Sequence, residues 1–263
     1  MTSNGVNKGA RLGQHFLNSQ WVARDLIASL SVREGETILE IGPGKGALTK
    51  ELLVTGNPVF AIEKDEALVA QLREVFSEEI ASKKLVIVAD DVRSVDPQKL
   101  GLGAYVLAAN IPYYITGEII RQFLETKHQP RAAALLIQKE VAERIVARNG
   151  KESILSLSVK AYGTPRIVAK VGKGCFNPPP SVDSAILLIE NISRDFFAGI
   201  SEEDFFKIVR AGFSAKRKLL TSNISKVVED ARAALAQSEI PEKARAEDVP
   251  LEKWQKLARL IAR

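Results

Sequence analysis

TILEIGPGKGALTKELL, residues 37–53, predicts a strand, a glycine turn and a helix in succession. The apolar run from Ile38 to Ile41 stops at the first glycine, as a buried parallel strand does. Beyond the glycines, apolar residues recur at helical spacing. The three glycines can adopt backbone angles that other residues avoid, and without Cβ atoms they let a ligand approach the main chain at the helix N-terminus. The stretch therefore predicts a nucleotide-like ligand at the turn.

The class of ligand is left open by this stretch alone. GPGKGA, residues 42–47, satisfies the dinucleotide-binding fingerprint, with Glu63 at the distance expected for a ribose contact, which is typical of a dehydrogenase. EIGPGKG, residues 40–46, also follows the pattern E-x-G-x-G-x-G of S-adenosyl-L-methionine-dependent methyltransferases. A third interpretation is a glycine turn that only packs a helix on a sheet.

Composition restricts the class of protein. At 263 residues, 46% hydrophobic and 26% charged, the chain is typical of a globular protein with one large domain or a large and a small one. Neither a membrane-spanning apolar run nor a signal-peptide core is visible, so we expect a cytoplasmic protein with no membrane partner. Cys175 is the only cysteine, which excludes an internal disulfide, and with only two histidines we expect no metal site.

The net charge of +5 and pI near 9.2 suit a polyanionic partner without requiring one. Residues 193–263 hold 14 Lys and Arg against 11 Asp and Glu, so the positive charge leans toward the C-terminal end. A solvated basic surface explains the same numbers. Charge alone therefore gives only a weak indication of nucleic acid.

Acidic residues follow the second and third predicted strands. The second strand, residues 58–63, ends at Glu63, which can accept hydrogen bonds from both hydroxyls of a ribose or can instead cap the next helix. The third, residues 85–89, is followed by Asp90 and Asp91. One of these two can accept the exocyclic amine of a cofactor adenine, and the other should face solvent. The order predicts a doubly wound sheet with its ligand at the carboxyl ends of the strands.

The fourth strand, residues 104–109, leads into Asn110-Ile-Pro-Tyr113. Pro112 has no N–H and keeps Ile111 extended, so the Ile111 carbonyl can stay free beside the side-chain carbonyl of Asn110. Two acceptors and the flat face of Tyr113 suit the amino group of a stacked adenine. The alternative is an Asn-x-Pro turn with tyrosines packed beneath it.

The glycine pattern, the acids at 63 and 91, and NIPY at 110–113, with GQHFL at 13–17 ahead of them, together resemble the ribosomal RNA adenine N6,N6-dimethyltransferase family. On its own, GQHFL indicates a hydrophobic staple onto the first helix. The resemblance implies cofactor contacts from His15, Leu17, Gly42, Gly44, Glu63, Asp91 and Asn110. It implies target-adenine contacts from Asn110, Ile111 and Tyr113.

Two later segments also match the family. Phe176 opens a proline-rich loop, residues 176–184, where a second aromatic ring could close on a flipped base. Lys216, Arg217 and Lys218 form the densest basic cluster, which suits the phosphates of a folded RNA but is also common on a solvated surface. We expect both to bind RNA.

The sequence thus predicts an α/β protein with a doubly wound, Rossmann-like seven-stranded methyltransferase sheet over residues 1–192 and a small all-helical RNA-binding domain over 193–263. The resemblance implies a monomer that dimethylates two adjacent adenines in the 3′-terminal hairpin of small-subunit (16S) rRNA, late in ribosome biogenesis on a 30S precursor. The alternatives are the large-subunit (23S) branch of macrolide resistance and a non-catalytic ribosome-assembly factor that binds RNA. A dehydrogenase is the remote option.

Overall fold

The computed structural model describes residues 15–261 of the chain. Gly13 and Gln14 of the N-terminal motif lie outside the described residues. The chain divides into two compact units, of which the first runs to Ala142 and resumes over Arg166–Glu190. The second consists of Glu143–Pro165 and the chain from Asn191 onward. The division after residue 190 lies two residues from the boundary expected at 192, but residues 143–165 group with the C-terminal unit.

Within residues 15–261, nine strands form two sheets. They are β1 (Phe16–Leu17), β2 (Thr37–Ile41), β3 (Val59–Glu63), β4 (Leu85–Ala89), β5 (Tyr105–Asn110), β6 (Ala133–Gln138), β7 (Thr164–Val171), β8 (Phe176–Asn177) and β9 (Ser184–Glu190). The main sheet has the order β4-β3-β2-β5-β6-β9-β7, and β1 pairs with β8 in a separate two-stranded sheet. The predicted seven-stranded, doubly wound sheet is confirmed, and the β1–β8 pair was not predicted.

The five strands from β4 to β6 in the sheet are parallel to one another, and β9 is antiparallel to β6. β2 and β5 run through the middle of this sheet and are buried along most of their length. Parallel strands covered on both faces need continuous apolar runs, which is why residues 38–41 and 105–109 carry almost no polar side chains. Their carboxyl ends meet at one edge, where ligands of this architecture bind.

Helices connect the strands of the first unit. They are α1 (Gln20–Leu30), α2 (Ala47–Leu53), α3 (Glu66–Val75), α4 (Ser77–Ala81) and α5 (Thr116–Glu125), followed by α6 (Lys139–Ile145), which leads into the second unit. α3 begins where the Asp65 carboxylate accepts from the N–H groups of Ala67 and Leu68. Asp65, not Glu63, is therefore the capping acid. Ser19 is at the N-cap position of α1 but makes no side-chain capping bond.

The second unit is helical in its described part, apart from the start of β7. It contains α7 (Ile154–Lys160), α8 (Glu202–Gly212), α9 (Leu220–Ile224), α10 (Ala231–Gln237) and α11 (Leu251–Ile261). Trp254 of α11 is fully buried against Gly212, where a side chain would collide with the indole. The unit therefore has a core of its own. No helix within residues 15–261 is long and apolar enough to cross a membrane.

Candidate functional site

A cleft opens at the carboxyl edge of the main sheet. Its walls are residues 15–17, residues 42–45 of the glycine turn, Ala47 and Leu48 of α2, Glu63, residues 110–113 and Phe176. The space is roughly 740 Å³ including the part open to solvent. Nearly all the predicted site residues of the first unit therefore share one cleft.

The glycine turn has the backbone that the sequence predicted. Gly42, Gly44 and Gly46 have φ of 67°, 59° and 84°, in the left-handed region that favours glycine. The three have different roles, however. A Cβ on Gly46 would lie 2.6 Å from the Phe76 ring, so this position serves helix packing and not ligand approach. At Gly44 a Cβ would meet the Phe16 ring at 3.0 Å, on the cleft side.

Glu63 holds the turn in place. This buried carboxylate accepts the N–H of Gly44 through Oε2 at 3.1 Å, and the N–H groups of Lys64 and Asp65 through Oε1 at 2.9 and 3.0 Å. A carboxylate has about four lone-pair sites, so one acceptor direction remains for a ligand. Glu63 is thus both a support for the turn and a candidate ribose acceptor.

Asp91 lies differently from the prediction. It follows β4, but its side chain is not among those that line the cleft. Arg93 and Lys64 both donate to it, and these charge-assisted bonds hold the pKa of the Asp91 carboxyl well below its usual range. Asp90 accepts from the hydroxyl of Ser94 and from the Asp91 N–H. An amine bound by Asp91 would have to share an oxygen with Arg93 or Lys64.

Asn110 and Ile111 present two acceptors toward the cleft. The Asn110 Nδ2 donates to the main-chain carbonyl of His15 at 3.2 Å, which turns its Oδ1 away from that carbonyl. Within residues 15–261, no donor reaches Oδ1 or the Ile111 carbonyl, whereas the Ile111 N–H bonds to the Leu136 carbonyl. These are the two free acceptors that the sequence predicted.

Tyr113 supplies a fixed aromatic ring beside those acceptors. It begins a short 3-10 turn, and its hydroxyl pairs with that of buried Ser184 at 2.8 Å. The ring centroid lies 5.9 Å from that of His15 at 32°. Partial burial raises the pKa of the Tyr113 phenol, so the hydroxyl stays protonated at neutral pH.

The β1–β8 ladder forms one wall of the cleft. Leu17 pairs with Phe176, and Phe16 with Asn177, so the N-terminal motif is joined to the proline-rich loop. The His15 Nδ1 lies 2.9 Å from the Pro178 carbonyl. A carbonyl only accepts, so Nδ1 is the donor in this contact. Phe176 is 3% exposed, and it lines the cleft mainly as packed wall.

Glu40 lies beneath the turn and was not singled out as a site residue. It is fully buried, and neither of its oxygens has a hydrogen-bond partner within the described residues. Burial in this apolar strand raises the pKa of Glu40 to about 8, and the neighbouring Glu63 carboxylate adds to the effect. The Thr49 hydroxyl acts in the opposite direction but is not in hydrogen-bond geometry with either oxygen. A glutamate in an otherwise apolar strand was the available sequence signal.

The predicted basic cluster lies in the second unit. Lys216, Arg217 and Lys218 are all exposed in the turn between α8 and α9. Buried Asn223 fixes this turn, since its Nδ2 donates to the carbonyls of Gly212 and Ala215 at 2.5 and 3.1 Å. The three cations are therefore held on an ordered turn. Asn223 was not predicted, because it follows Thr221 and Ser222 and its residue type does not mark it as buried.

Comparisons with known proteins identify the family of the chain. The family model described as ribosomal RNA adenine dimethylase matches residues 5–263. A protein named ribosomal RNA small subunit methyltransferase A from Dehalococcoides mccartyi (strain CBDB1) is 40% identical over 94% of this chain and 86% of its own length. One of the same name from Fusobacterium nucleatum is 37% identical over 95% of this chain and 96% of its own.

Solved structures agree as well. A dimethyladenosine transferase from Plasmodium falciparum superposes with a TM-score of 0.80 at 25% identity, over 92% of this chain and 96% of its own. The 23S rRNA methyltransferase ErmE superposes with a TM-score of 0.75 at 25% identity, over 94% of this chain and all of its own. The likeness therefore spans both units of the chain.

Proposed function

Because the chain belongs to the ribosomal RNA adenine dimethylase family, we propose that it dimethylates the N6 amines of two adjacent adenines in the 3′-terminal hairpin of small-subunit rRNA, with S-adenosylmethionine as donor. The observation that carries the proposal is the pair of free acceptors, Asn110 Oδ1 and the Ile111 carbonyl, beside the Tyr113 ring. We place its action in the cytoplasm on a 30S precursor.

The cleft fits such a donor. Gly42 and Gly44 line the cleft with their main chain, and Glu63 retains an acceptor for a ribose hydroxyl. His15 and Leu17 close the opposite wall. When bound, S-adenosylmethionine supplies a methyl group on a positively charged sulfur that needs no further activation. Asp91 is the weakest part of the fit, because Arg93 and Lys64 already bind its carboxylate.

The target adenine would lie on residues 110–113. Asn110 Oδ1 and the Ile111 carbonyl each accept one hydrogen of the N6 amine, and the Tyr113 ring stacks on the base. The lone pair of this nitrogen is delocalised into the ring, which makes it a poor nucleophile. Two fixed acceptors favour the tetrahedral nitrogen of the transition state over the planar ground state. The two acceptors therefore contribute to catalysis through their fixed positions, because bonds from the Asn110 Nδ2 and the Ile111 N–H hold them in place before the substrate arrives.

The proton leaves the nitrogen after the N–C bond has formed. A positively charged, methylated nitrogen is a strong acid and loses its proton to water. Glu63 is already engaged with three main-chain N–H groups, so the proposed reaction assigns it no role as a base. The same acceptors then hold the remaining hydrogen for the second transfer.

The choice of RNA rests on the relatives. The small-subunit name belongs to relatives at 37–40% identity, whereas the 23S enzyme ErmE is 25% identical. Lys216, Arg217 and Lys218 are exposed on an ordered turn, which suits the phosphates of a folded RNA. We assign these three to RNA binding.

The test is transfer of a labelled methyl group to undermethylated small and large ribosomal subunits, followed by mapping of the modified adenines. We expect N6,N6-dimethylation of two adjacent adenines in the small subunit. Label in the large subunit would instead support the macrolide-resistance branch. RNA binding without transfer would support a ribosome-assembly factor, and binding of a nicotinamide dinucleotide in place of S-adenosylmethionine would support a dehydrogenase.

A further inference from the structure

One cation at the mouth of the cleft has no role in the reaction described so far. Lys45 is exposed in the glycine turn, and its Nζ lies 4.8 Å from the centroid of the Phe16 ring. Both side chains line the same cleft as Asn110 and Tyr113. Among the described residues that line it, Lys45 is the only lysine or arginine.

The backbone beneath Lys45 is well fixed. The Gly46 N–H donates to the Pro43 carbonyl at 2.9 Å, which closes a tight turn with Lys45 at its third position. The Gly44 N–H is bound by Glu63 at 3.1 Å, so the turn is anchored on both sides of the lysine. The cation–π contact with Phe16 then limits the freedom of the side chain itself. Less conformational entropy is lost when such a lysine binds a ligand.

The charge of Lys45 is not neutralised by the protein. No acidic side chain within residues 15–261 forms an ion pair with it, and its ammonium rests on a ring face instead. Glu63 is the only acid among the described residues that line the cleft, and its oxygens accept three main-chain N–H groups and form no ion pair with Lys45. An ammonium group close to a bound sulfonium is unfavourable unless an anionic group also binds.

We propose that Lys45 binds a backbone phosphate of the target nucleotide and so positions its adenine over Asn110 and Tyr113. The proposal rests on the function proposed above, because it takes the flipped adenine of an RNA as the occupant of the cleft. A base that leaves its stack carries its own phosphates to the mouth of the pocket. Lys45 is an exposed cation at that mouth, where a phosphate can reach it without desolvation of a buried charge. It is a positioning residue, distinct from the acceptors that contact the amine.

The alternative ligand for Lys45 is the carboxylate of the methyl donor. A phosphate ligand and a carboxylate ligand predict different results. A lysine–phosphate contact releases counterions, so its loss lowers the salt dependence of RNA binding. A lysine–carboxylate contact would instead change the affinity for S-adenosylmethionine. Lys45→Gln removes the charge and leaves a polar side chain that is one heavy atom shorter, and Lys45→Arg keeps the charge.

The experiment measures RNA binding by fluorescence anisotropy on a hairpin with two adjacent adenines in its loop, from about 50 to 200 mM salt. We expect Lys45→Gln to weaken binding about three- to tenfold at the lowest salt and to reduce the slope of log K against log salt by about 0.7–1. Lys45→Arg should retain most of the wild-type RNA affinity and most of the wild-type slope. Affinity for S-adenosylmethionine, titrated separately, should stay within about twofold, well under the tenfold that 1.4 kcal/mol represents.

Lys50→Gln is the matched control, because Lys50 is exposed in α2, five residues away, and does not line the cleft. It should bind RNA with the wild-type slope. An unchanged slope for Lys45→Gln would overturn the proposal, as would a loss of S-adenosylmethionine affinity with RNA binding intact. Failure of the wild-type protein to transfer methyl groups would instead overturn the proposed function, and it would be seen in the transfer assay and not in these titrations.

Discussion

The side chain of Asn110 donates a hydrogen bond from Nδ2 to the main-chain carbonyl of His15 at 3.2 Å, across 95 residues of sequence. This contact joins the end of β5 to the segment that precedes β1. An amide whose NH₂ group is engaged must present its carbonyl elsewhere, and here Oδ1 points away from His15. The geometry of the proposed substrate contacts therefore depends on a residue of the N-terminal motif that does not need to contact the base.

Replacement of Asn110 by alanine should lower the rate of methyl transfer by roughly 100- to 1,000-fold, as loss of one preorganised transition-state contact does in other enzymes. RNA affinity should fall only modestly, because phosphate contacts dominate it. Single-turnover transfer and RNA titration separate the two effects. Asn149→Ala, in an exposed loop, serves as control. Equal activity in Asn110→Ala would contradict the assignment.

Glu63→Gln should weaken S-adenosylmethionine binding by about tenfold or more, since hydrogen bonds to charged groups contribute about 1.5–3 kcal/mol. Glutamine has a single acceptor oxygen, whereas Glu63 serves three main-chain N–H groups through both of its oxygens. One N–H would then face an NH₂ group. Calorimetric titration of the donor measures the loss. Glu66→Gln, exposed at the start of α3, should bind like the wild type.

The sheet was predictable because its strands are buried on both faces. Short apolar runs such as residues 38–41 and 105–109 are typical of buried strands. Each predicted strand exists within a residue or two of its expected bounds. The site followed from the same logic, since Glu63 and Asn110 come directly at the ends of parallel strands. Asn110, Ile111, Tyr113, Glu63 and the glycines do share a cleft.

The features that the sequence did not predict depend on contacts that leave no periodic pattern of apolar residues in the chain. The β1–β8 ladder has two residues in each strand, so no alternation of apolar and polar residues marks it. The engagement of Asp91 by Arg93 depends on the turn after β4, and the residue type alone did not indicate it. The packing role of Gly46 depends on Phe76, which lies between α3 and α4.

Glu40→Gln should reduce the pH dependence of unfolding. Burial raises the pKa of Glu40 from 4.5 to about 8 in the folded protein. Between these values the unfolded chain binds fewer protons at this site, so the group destabilises the fold progressively as pH rises from about 4.5 to about 8. A neutral amide removes that contribution.

Urea unfolding of the cofactor-free protein at pH 5 and pH 8 tests this expectation. The stability of Glu40→Gln relative to the wild type should be higher at pH 8 than at pH 5. Glu74→Gln, exposed on α3, should show the same difference from the wild type at both pH values. A difference for Glu40→Gln that does not change with pH would mean that the carboxyl titrates normally.

Arg131→Met should destabilise the first unit by roughly 3–5 kcal/mol, because it leaves a buried carboxylate without its partner. Glu36 is 4% exposed, and Arg131 binds both of its oxygens at 2.6 and 2.8 Å. The hydrogen bond from Arg131 is the main cause that lowers the pKa of Glu36 below 4.5. The stabilisation from the Glu36–Arg131 ion pair is therefore complete above pH 4.5. It is lost as the pH falls through the lower pKa that Glu36 has in the folded protein.

Urea unfolding should accordingly show the largest deficit of Arg131→Met near neutral pH and a smaller one in acid. The double variant Glu36→Gln/Arg131→Met should recover part of the loss, since it no longer buries a charge. If the double variant is no more stable than Arg131→Met, the deficit comes from lost packing or from the Leu30 and Ser31 carbonyls that Arg131 also binds.

Asn223→Ala should weaken RNA binding although the residue itself is 5% exposed. Its Nδ2 holds the carbonyls of Gly212 and Ala215, and removal leaves two acceptors unpaired at a cost of about 1–3 kcal/mol. The turn that carries Lys216, Arg217 and Lys218 would then sample other conformations, and the phosphate contacts would lose their arrangement. Anisotropy titration at low salt, with unfolding measured in parallel, separates the two effects. If the variant is destabilised but binds RNA as tightly as the wild type, the geometry of the basic turn does not matter for binding.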